Sequence, residues 1–301
     1  MITEIPTAEE FARQGVNHLH LAWEIGVALL RELKDAEYYD DVDSKSYQEY
    51  WKLSQPALSN GLALIQQAQE FLLKSRIAEV SPFLLLSRDA RDWPRRCEKQ
   101  DTPFSSFRMS DAVDLVKIHD TVRCARLPKG FITFYDDVRR QRNIIMHFGG
   151  DRKPVDVTNV LLAVLQTHDF LLSGKSWTEY RWEFINNDRI SALYSNDHAG
   201  DAILTEFDAI VEILKPAPLR RFFNFDKKAR RYICPFCMNR TEHLDYRPAF
   251  AQLHPNTPET KAVYCFVCGS TIPARREACP EAGCPSNVLS EEDGTCLICW
   301  C

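Results

Sequence analysis

Residues 131–150 read FITFYDDVRRQRNIIMHFGG, and this stretch sets how the first half of the chain is read. At about 100° per residue, Phe131, Tyr135, Val138 and Ile145 share one face, which predicts a helix over 131–148 stopped by Gly149-Gly150. Arg142 falls near the centre of that apolar face, where a cation is expensive unless it is paired or borders a polar cleft. His147 lies about 140° around the helix from Arg142, and Asn143 sits beside His147 at i,i+4 spacing. One straight helix therefore cannot easily aim Arg142 and His147 at a single small target. A second copy packed face to face on the stripe could bring both residue types into one cleft, as a closed two-fold interface requires. The plainer reading is a snorkelling arginine near a helix end, with a C-terminal histidine favouring the helix dipole.

Working outward, the same periodicity recurs. Residues 8–37 carry Phe11, Leu19, Trp23, Val27, Leu30 and Leu33 at helical spacing, with Thr7 placed to cap and Glu10 three residues on. Residues 56–80 repeat the pattern with Leu58, Leu62, Ile65, Phe71 and Leu72, and stop before Ser81-Pro82. A charged, proline-containing loop follows, then a shorter helix from Ser110-Asp111 to about Cys124 and a last one over 156–173 with Val160, Leu161, Val164, Leu165, Leu171 and Leu172. Five helices with short connections predict an all-α helical bundle over residues 1–175. His168, on the apolar side of its helix, reads as a core or groove histidine. The period then changes: Tyr180, Trp182 and Phe184 alternate with Arg181 and Glu183 before Asn186-Asn187-Asp188, which predicts a small β-rich insert over 176–214. Residues 215–231 form a basic-aromatic linker, with seven basic residues against one acid among Phe222, Phe223 and Phe225. That composition suits single-stranded RNA held by phosphate contacts and base stacking, or a solvated linker whose rings pack on their neighbours.

The chain has 301 residues, enough for about two domains. With 45% hydrophobic and 26% charged residues, it is neither fibrous nor disordered as a whole. A net charge of −5 excludes a uniformly basic nucleic-acid coat, so contacts of that kind must come from local patches. No 18-residue apolar run and no basic-then-apolar leader is present, so the expectation is a cytoplasmic protein without a membrane partner.

Nine of the eleven cysteines fall between Cys234 and Cys301. Without an export signal, short paired spacings read as metal ligands rather than disulfides. Cys234-Pro-Phe-Cys237 and Cys265-Phe-Val-Cys268 place two thiolates each on a tight turn and together complete a tetrahedral Cys₄ site over 232–272. Tyr232-Ile233 and Val263-Tyr264, just before the two knuckles, resemble the strands of a zinc ribbon. A second set, Cys279 and Cys284 with Cys296 and Cys299, forms another zinc knuckle over 273–301, in which Cys301 could take the place of Cys299. Two structural Zn²⁺ ions are expected, because four thiolates leave no open coordination position. His243 and His254 read as surface residues, and Cys97 and Cys124 as plain thiols.

Around Arg142-Asn143-Ile144-Ile145-Met146-His147, an R-N-x3-H string, and the phrase LSNGLALIQQAQEFLLKSRIAEVSPFLLL in the second predicted helix, the first 175 residues resemble the HEPN superfamily, helical bundles that include metal-independent ribonucleases of toxin and antiviral systems. The resemblance covers about half of the chain. It implies an HEPN-like fold, a site at a homodimer interface, Arg142 and His147 as a catalytic pair, and Asn143 as the accompanying polar residue. Some toxin members carry a tyrosine two residues after the histidine. Here Phe148-Gly149 follows, so regulation through that tyrosine is not implied. Asp136 and Asp137 could orient Arg142 or simply face solvent.

The function implied is a metal-independent endoribonuclease attacking through the ribose 2′-OH in a toxin or defence setting. A protein partner or antitoxin could attend it, with the zinc module recruiting RNA or that partner. Two other readings stand beside it: a non-catalytic RNA- or nucleotide-binding HEPN adaptor, and a zinc-ribbon DNA-binding protein with a helical dimerisation domain.

Overall fold

The structure, a computed structural model, describes residues 1–39, 41–147, 154–187, 193, 197–241 and 247–301, apart from the side chains of residues 146, 147, 197 and 198. The chain forms two compact units, Met1–Leu172 and Ser173–Cys301. Among the described residues no helix is long and apolar enough to cross a membrane.

The first unit is helical. Its frame is α1 (Ala8–Tyr39), α2 (Ser44–Leu53), α3 (Gln55–Ala78), α4 (Ala112–Val122), α5 (Lys129–His147) and α6 (Val157–Leu171). The capping box at the start of α1 forms, with Glu10 N–H donating to Thr7 Oγ1 at 3.1 Å and Thr7 N–H to Glu10 Oε2 at 2.8 Å. Leu19, Trp23, Leu58, Ile65, Val160 and Leu161 are buried where α1, α3 and α6 meet. Arg76 of α3 donates to the carbonyls of Phe170 and Leu171 at 3.1 and 3.0 Å, satisfying the free C-terminal end of α6. Two short parallel strands, β1 (Ile2–Thr3) and β2 (Thr102–Pro103), tie the chain start to the long loop after α3.

The apolar face of α5 is used inside this unit. Phe131, Tyr135 and Val138 are buried, the Phe131 ring lies 5.6 Å from that of Phe170 on α6, and Tyr135 Oη donates to the Ala112 carbonyl at 2.8 Å. Phe131, Tyr135 and Val138 of the stripe expected to meet a second chain are thus packed on α3, α4 and α6, while Ile145 is half-buried.

The second unit corrects two expectations. The described residues of 176–214 are not β-rich: they hold α7 (Trp177–Asn186) and α8 (Asp197–Ile213). The Tyr180–Phe184 alternation is overridden by a helical period, since Trp177, Thr178, Arg181 and Ile185 are the buried positions, and Ser176 with Glu179 forms a full capping box. Residues 215–231 are not a free linker either. They form α9 (Pro216–Phe223), which ends at Asn224 in the left-handed region (φ 52°), and Phe225 N–H returns to the Leu219 carbonyl at 3.2 Å. Phe223 and Phe225 are buried. With Phe207 and Phe250 they surround Phe266 at ring-centre distances of 5.1–5.8 Å. One aromatic core therefore joins α8, α9 and the cysteine-bearing region.

The remainder is a four-stranded antiparallel meander preceded by the short helix α10 (Pro235–Met238). Its strands are β3 (Ala251–Leu253), β4 (Ala262–Cys265), β5 (Thr271–Arg275) and β6 (Leu289–Ser290), in that order. Helix α8 runs so close to the turn after α10 that a Cβ on Gly200 would lie 1.8 Å from the Arg240 carbonyl oxygen. Gly200→Ala is expected to push α8 off this turn and to lower the melting temperature of the unit by several degrees, the scale of an overpacking loss of about 1–3 kcal/mol. A thermal melt matching the wild type would show that the contact is dispensable.

Candidate functional site

Two constellations were marked by the sequence, and the structure resolves one of them fully. Cys234 precedes α10, Cys237 lies within it, Cys265 ends β4, and Cys268 follows in the next turn. Their Sγ atoms converge, with Cys234 to Cys268 at 3.6 Å and Cys237 to Cys265 at 3.7 Å. Tetrahedral bonds of about 2.3 Å place sulfurs about 3.8 Å apart, so the cluster has the dimensions of a four-thiolate metal site. Beside Cys234, the Cys237 and Cys265 thiols are pushed well above the ordinary thiol range, while hydrogen bonding to the same Cys234 pulls Cys268 far below it. Four thiols this crowded cannot all ionise by themselves. A divalent cation bonded to all four removes that conflict.

The second cluster repeats the geometry at Cys279, Cys284, Cys296 and Cys299, with Cys279 to Cys299 at 3.6 Å and Cys284 to Cys296 at 3.7 Å. Cys301 is exposed and stands outside the group, its Sγ directed to the Cys299 carbonyl. The choice left open between Cys299 and Cys301 therefore falls to Cys299. Both clusters are closed by four protein ligands, so a bound ion is structural.

The two clusters are also one module. β5 pairs with β4 of the first site and with β6 of the second, and Ile233 N–H donates to the Leu297 carbonyl at 2.7 Å. Sequence spacing set the ligands but not this joining, which depends on long-range backbone pairing.

The Arg–His string occupies the last turns of α5. Arg142 and Asn143 are half-buried, and Arg142 Nη1 donates to Asn143 Oδ1 at 3.0 Å. Asp136 and Asp137 do not orient Arg142: they pair one turn on with Arg139 and Arg140, at 3.2 and 2.5 Å. Among the described residues Arg142 faces no carboxylate. His147 closes the helix backbone, but its side chain and residues 148–150 lie outside the described residues, as does His243.

The remaining candidates are ordinary. His254 is exposed, Cys97 and Cys124 stand apart from both clusters, and His168 is half-buried on α6. Neither Phe223 nor Phe225 is accessible for base stacking, since both are built into the aromatic core. No family model, curated protein or solved structure matches the chain.

Proposed function

We propose that the protein is a metal-independent endoribonuclease whose second unit is held together by two Zn²⁺ ions. The observation that carries this reading is Arg142, a half-buried guanidinium that faces no carboxylate among the described residues, while Arg139 and Arg140 of the same helix are each paired with an aspartate. Its planar fork suits two non-bridging oxygens of a phosphodiester and stays charged throughout the reaction. Asn143 fixes the fork through the 3.0 Å hydrogen bond. The resemblance to HEPN ribonucleases supports the assignment of His147 as the proton carrier.

The chemistry balances without a metal at the scissile bond. The His147 imidazole, as general base, takes the ribose 2′-OH proton as the 2′-oxygen attacks phosphorus. The bond to the 5′-oxygen breaks, the proton is returned to that oxygen, and Arg142 holds the charge that accumulates on the phosphorane. The products are a 2′,3′-cyclic phosphate and a 5′-hydroxyl. DNA lacks the nucleophile and is not cut. Zinc would supply none of this, because each group of four thiolates would leave a bound ion no open position. The homodimer suggested by the sequence would have to use another face of α5, where Ile144 is 45% exposed, since the Phe131–Val138 stripe is taken.

The test is RNA cleavage in EDTA by the wild type beside Arg142→Ala and His147→Ala. Each substitution should slow cleavage about 10²–10⁴-fold. If His147→Ala cleaves as fast as the wild type, the catalytic assignment is wrong, and retained RNA binding would then favour an adaptor.

A further inference from the structure

A cavity of about 180 Å³ opens where the end of α9 meets β3 and β4, and the proposed cleavage chemistry makes no use of it. Phe225, Phe250 and Phe266 close its floor but are only 1–3% exposed, so the rings a ligand can reach are those at the mouth. Toward the mouth stand Tyr264, half-buried, and His254, exposed, with ring centres 6.1 Å apart. Arg220 and Asn224 from the α9 end complete the rim. A cavity with a buried apolar floor and the Tyr264 and His254 rings at its mouth suits a planar heteroaromatic group. Cavities of roughly 150 Å³ take up a benzene ring, so this one has room for a nucleobase but not for its sugar and phosphate as well.

The cavity wall is built rather than incidental. Gln252 clamps the backbone of Asp226 from both sides, accepting from its N–H at 2.8 Å and donating to its carbonyl at 2.6 Å. The left-handed turn at Asn224 then sets that side chain at the rim.

Charge supplies the second half of the argument. In a chain of net charge −5, residues 215–231 hold seven basic residues and one acid. Folding has taken Phe223 and Phe225 into the core but left Arg220, Arg221, Lys228, Arg230 and Arg231 exposed beside the cavity-bearing turn. Asp226 pairs with Arg220 at 3.8 Å near the surface, a distance at which an ion pair is worth little. Exposed cations along a segment next to an aromatic pocket are the two elements of a single-strand binding surface.

We propose that this cavity seats one base of a single-stranded RNA whose phosphates run along the exposed cations of residues 220–231. The proposal concerns binding and does not depend on the cleavage reading: a chain that never cuts RNA would still use the pocket. Tests therefore use the His147→Ala full-length chain and read fluorescence anisotropy. One probe is a labelled oligouridylate of about twelve nucleotides, within the footprint of such surfaces, and the other is an abasic ribose-phosphate strand of the same length. The intact strand should bind about tenfold more tightly than the abasic one, the usual contribution of one stacked base. Arg220→Ala with His254→Ala, at two exposed positions, should remove that preference, with two metal ions per chain retained as the check on folding. Lys228→Ala, which does not line the cavity, should weaken both probes equally. Equal binding of the intact and abasic strands, or an unchanged preference in the double variant, overturns the pocket. A deoxyuridylate strand that binds as tightly overturns RNA as its ligand class.

Discussion

Cys265→Ser should leave the purified protein with fewer than two bound metal ions per chain and make residues 173–301 sensitive to protease, while residues 1–172 keep their helical signal. Cys265 is fully buried, ends β4 and immediately precedes Phe266, the centre of the aromatic core. Losing it removes a ligand and leaves three crowded thiols without their cation. Structural zinc contributes about 10–16 kcal/mol in small finger peptides, comparable to or above the whole stability of a typical domain, about 5–15 kcal/mol. Because β5 is shared by both clusters, the damage should spread to the second one. The first unit has its own core and should be spared. Metal analysis with limited proteolysis reads the result: two ions per chain, or wild-type resistance of the second unit, would refute the assignment. Cys301→Ser is the companion, expected to retain both ions because that thiol stands outside the clusters.

The second large effect is electrostatic. Arg181 of α7 and Glu206 of α8 form a two-pronged ion pair, Nε to Oε1 at 2.9 Å and Nη2 to Oε2 at 2.8 Å, with side chains only 2% and 4% exposed. Removing one partner strands a charge away from water, at a cost of about 3–5 kcal/mol. Glu206→Leu should therefore destabilise the second unit severely. The double variant Arg181→Met with Glu206→Leu should recover most of the loss, since no charge is then left unpaired and the volume stays apolar. Denaturant unfolding of the four proteins of the cycle measures this coupling. A double variant as unstable as the sum of the single ones would show that the pair acts independently.

The same arginine shows where sequence reading stops. Read by twos, Tyr180-Arg181-Trp182-Glu183-Phe184 puts Arg181 on the outside of a strand. Read by the helical turn, it falls with Trp177 and Ile185 on the inside. Two periods overlap in this short aromatic segment, and only the Ser176-x-x-Glu179 capping signal favoured the helix. The long helices of the first unit were legible because each carries several turns of one apolar stripe. α2 was not, because none of its residues is buried. The eight metal ligands could be read from local spacing, whereas the preference for Cys299 over Cys301 needed the converging Sγ atoms. In the basic-aromatic segment, composition could not show that Phe223 and Phe225 turn inward, because their partner Phe266 lies far along the chain.

The backbone bond between Ile233 and Leu297 bears on the order of events during translation. The helical unit has all its internal partners as soon as Leu172 has left the ribosome, and it can close while the rest is still being made. The cysteine module cannot. Its first knuckle emerges early, yet the strand that pairs with β5 and the carbonyl that receives Ile233 are supplied only by residues 289–297. For that interval the nascent chain carries reduced, metal-hungry thiols beside an unpaired strand, the period in which oxidation, a wrong ion or edge-to-edge association can intervene. Yield in a cell should accordingly respond to how much metal is on hand while this region is being made, and a pause in translation before residue 289 should prolong the exposure.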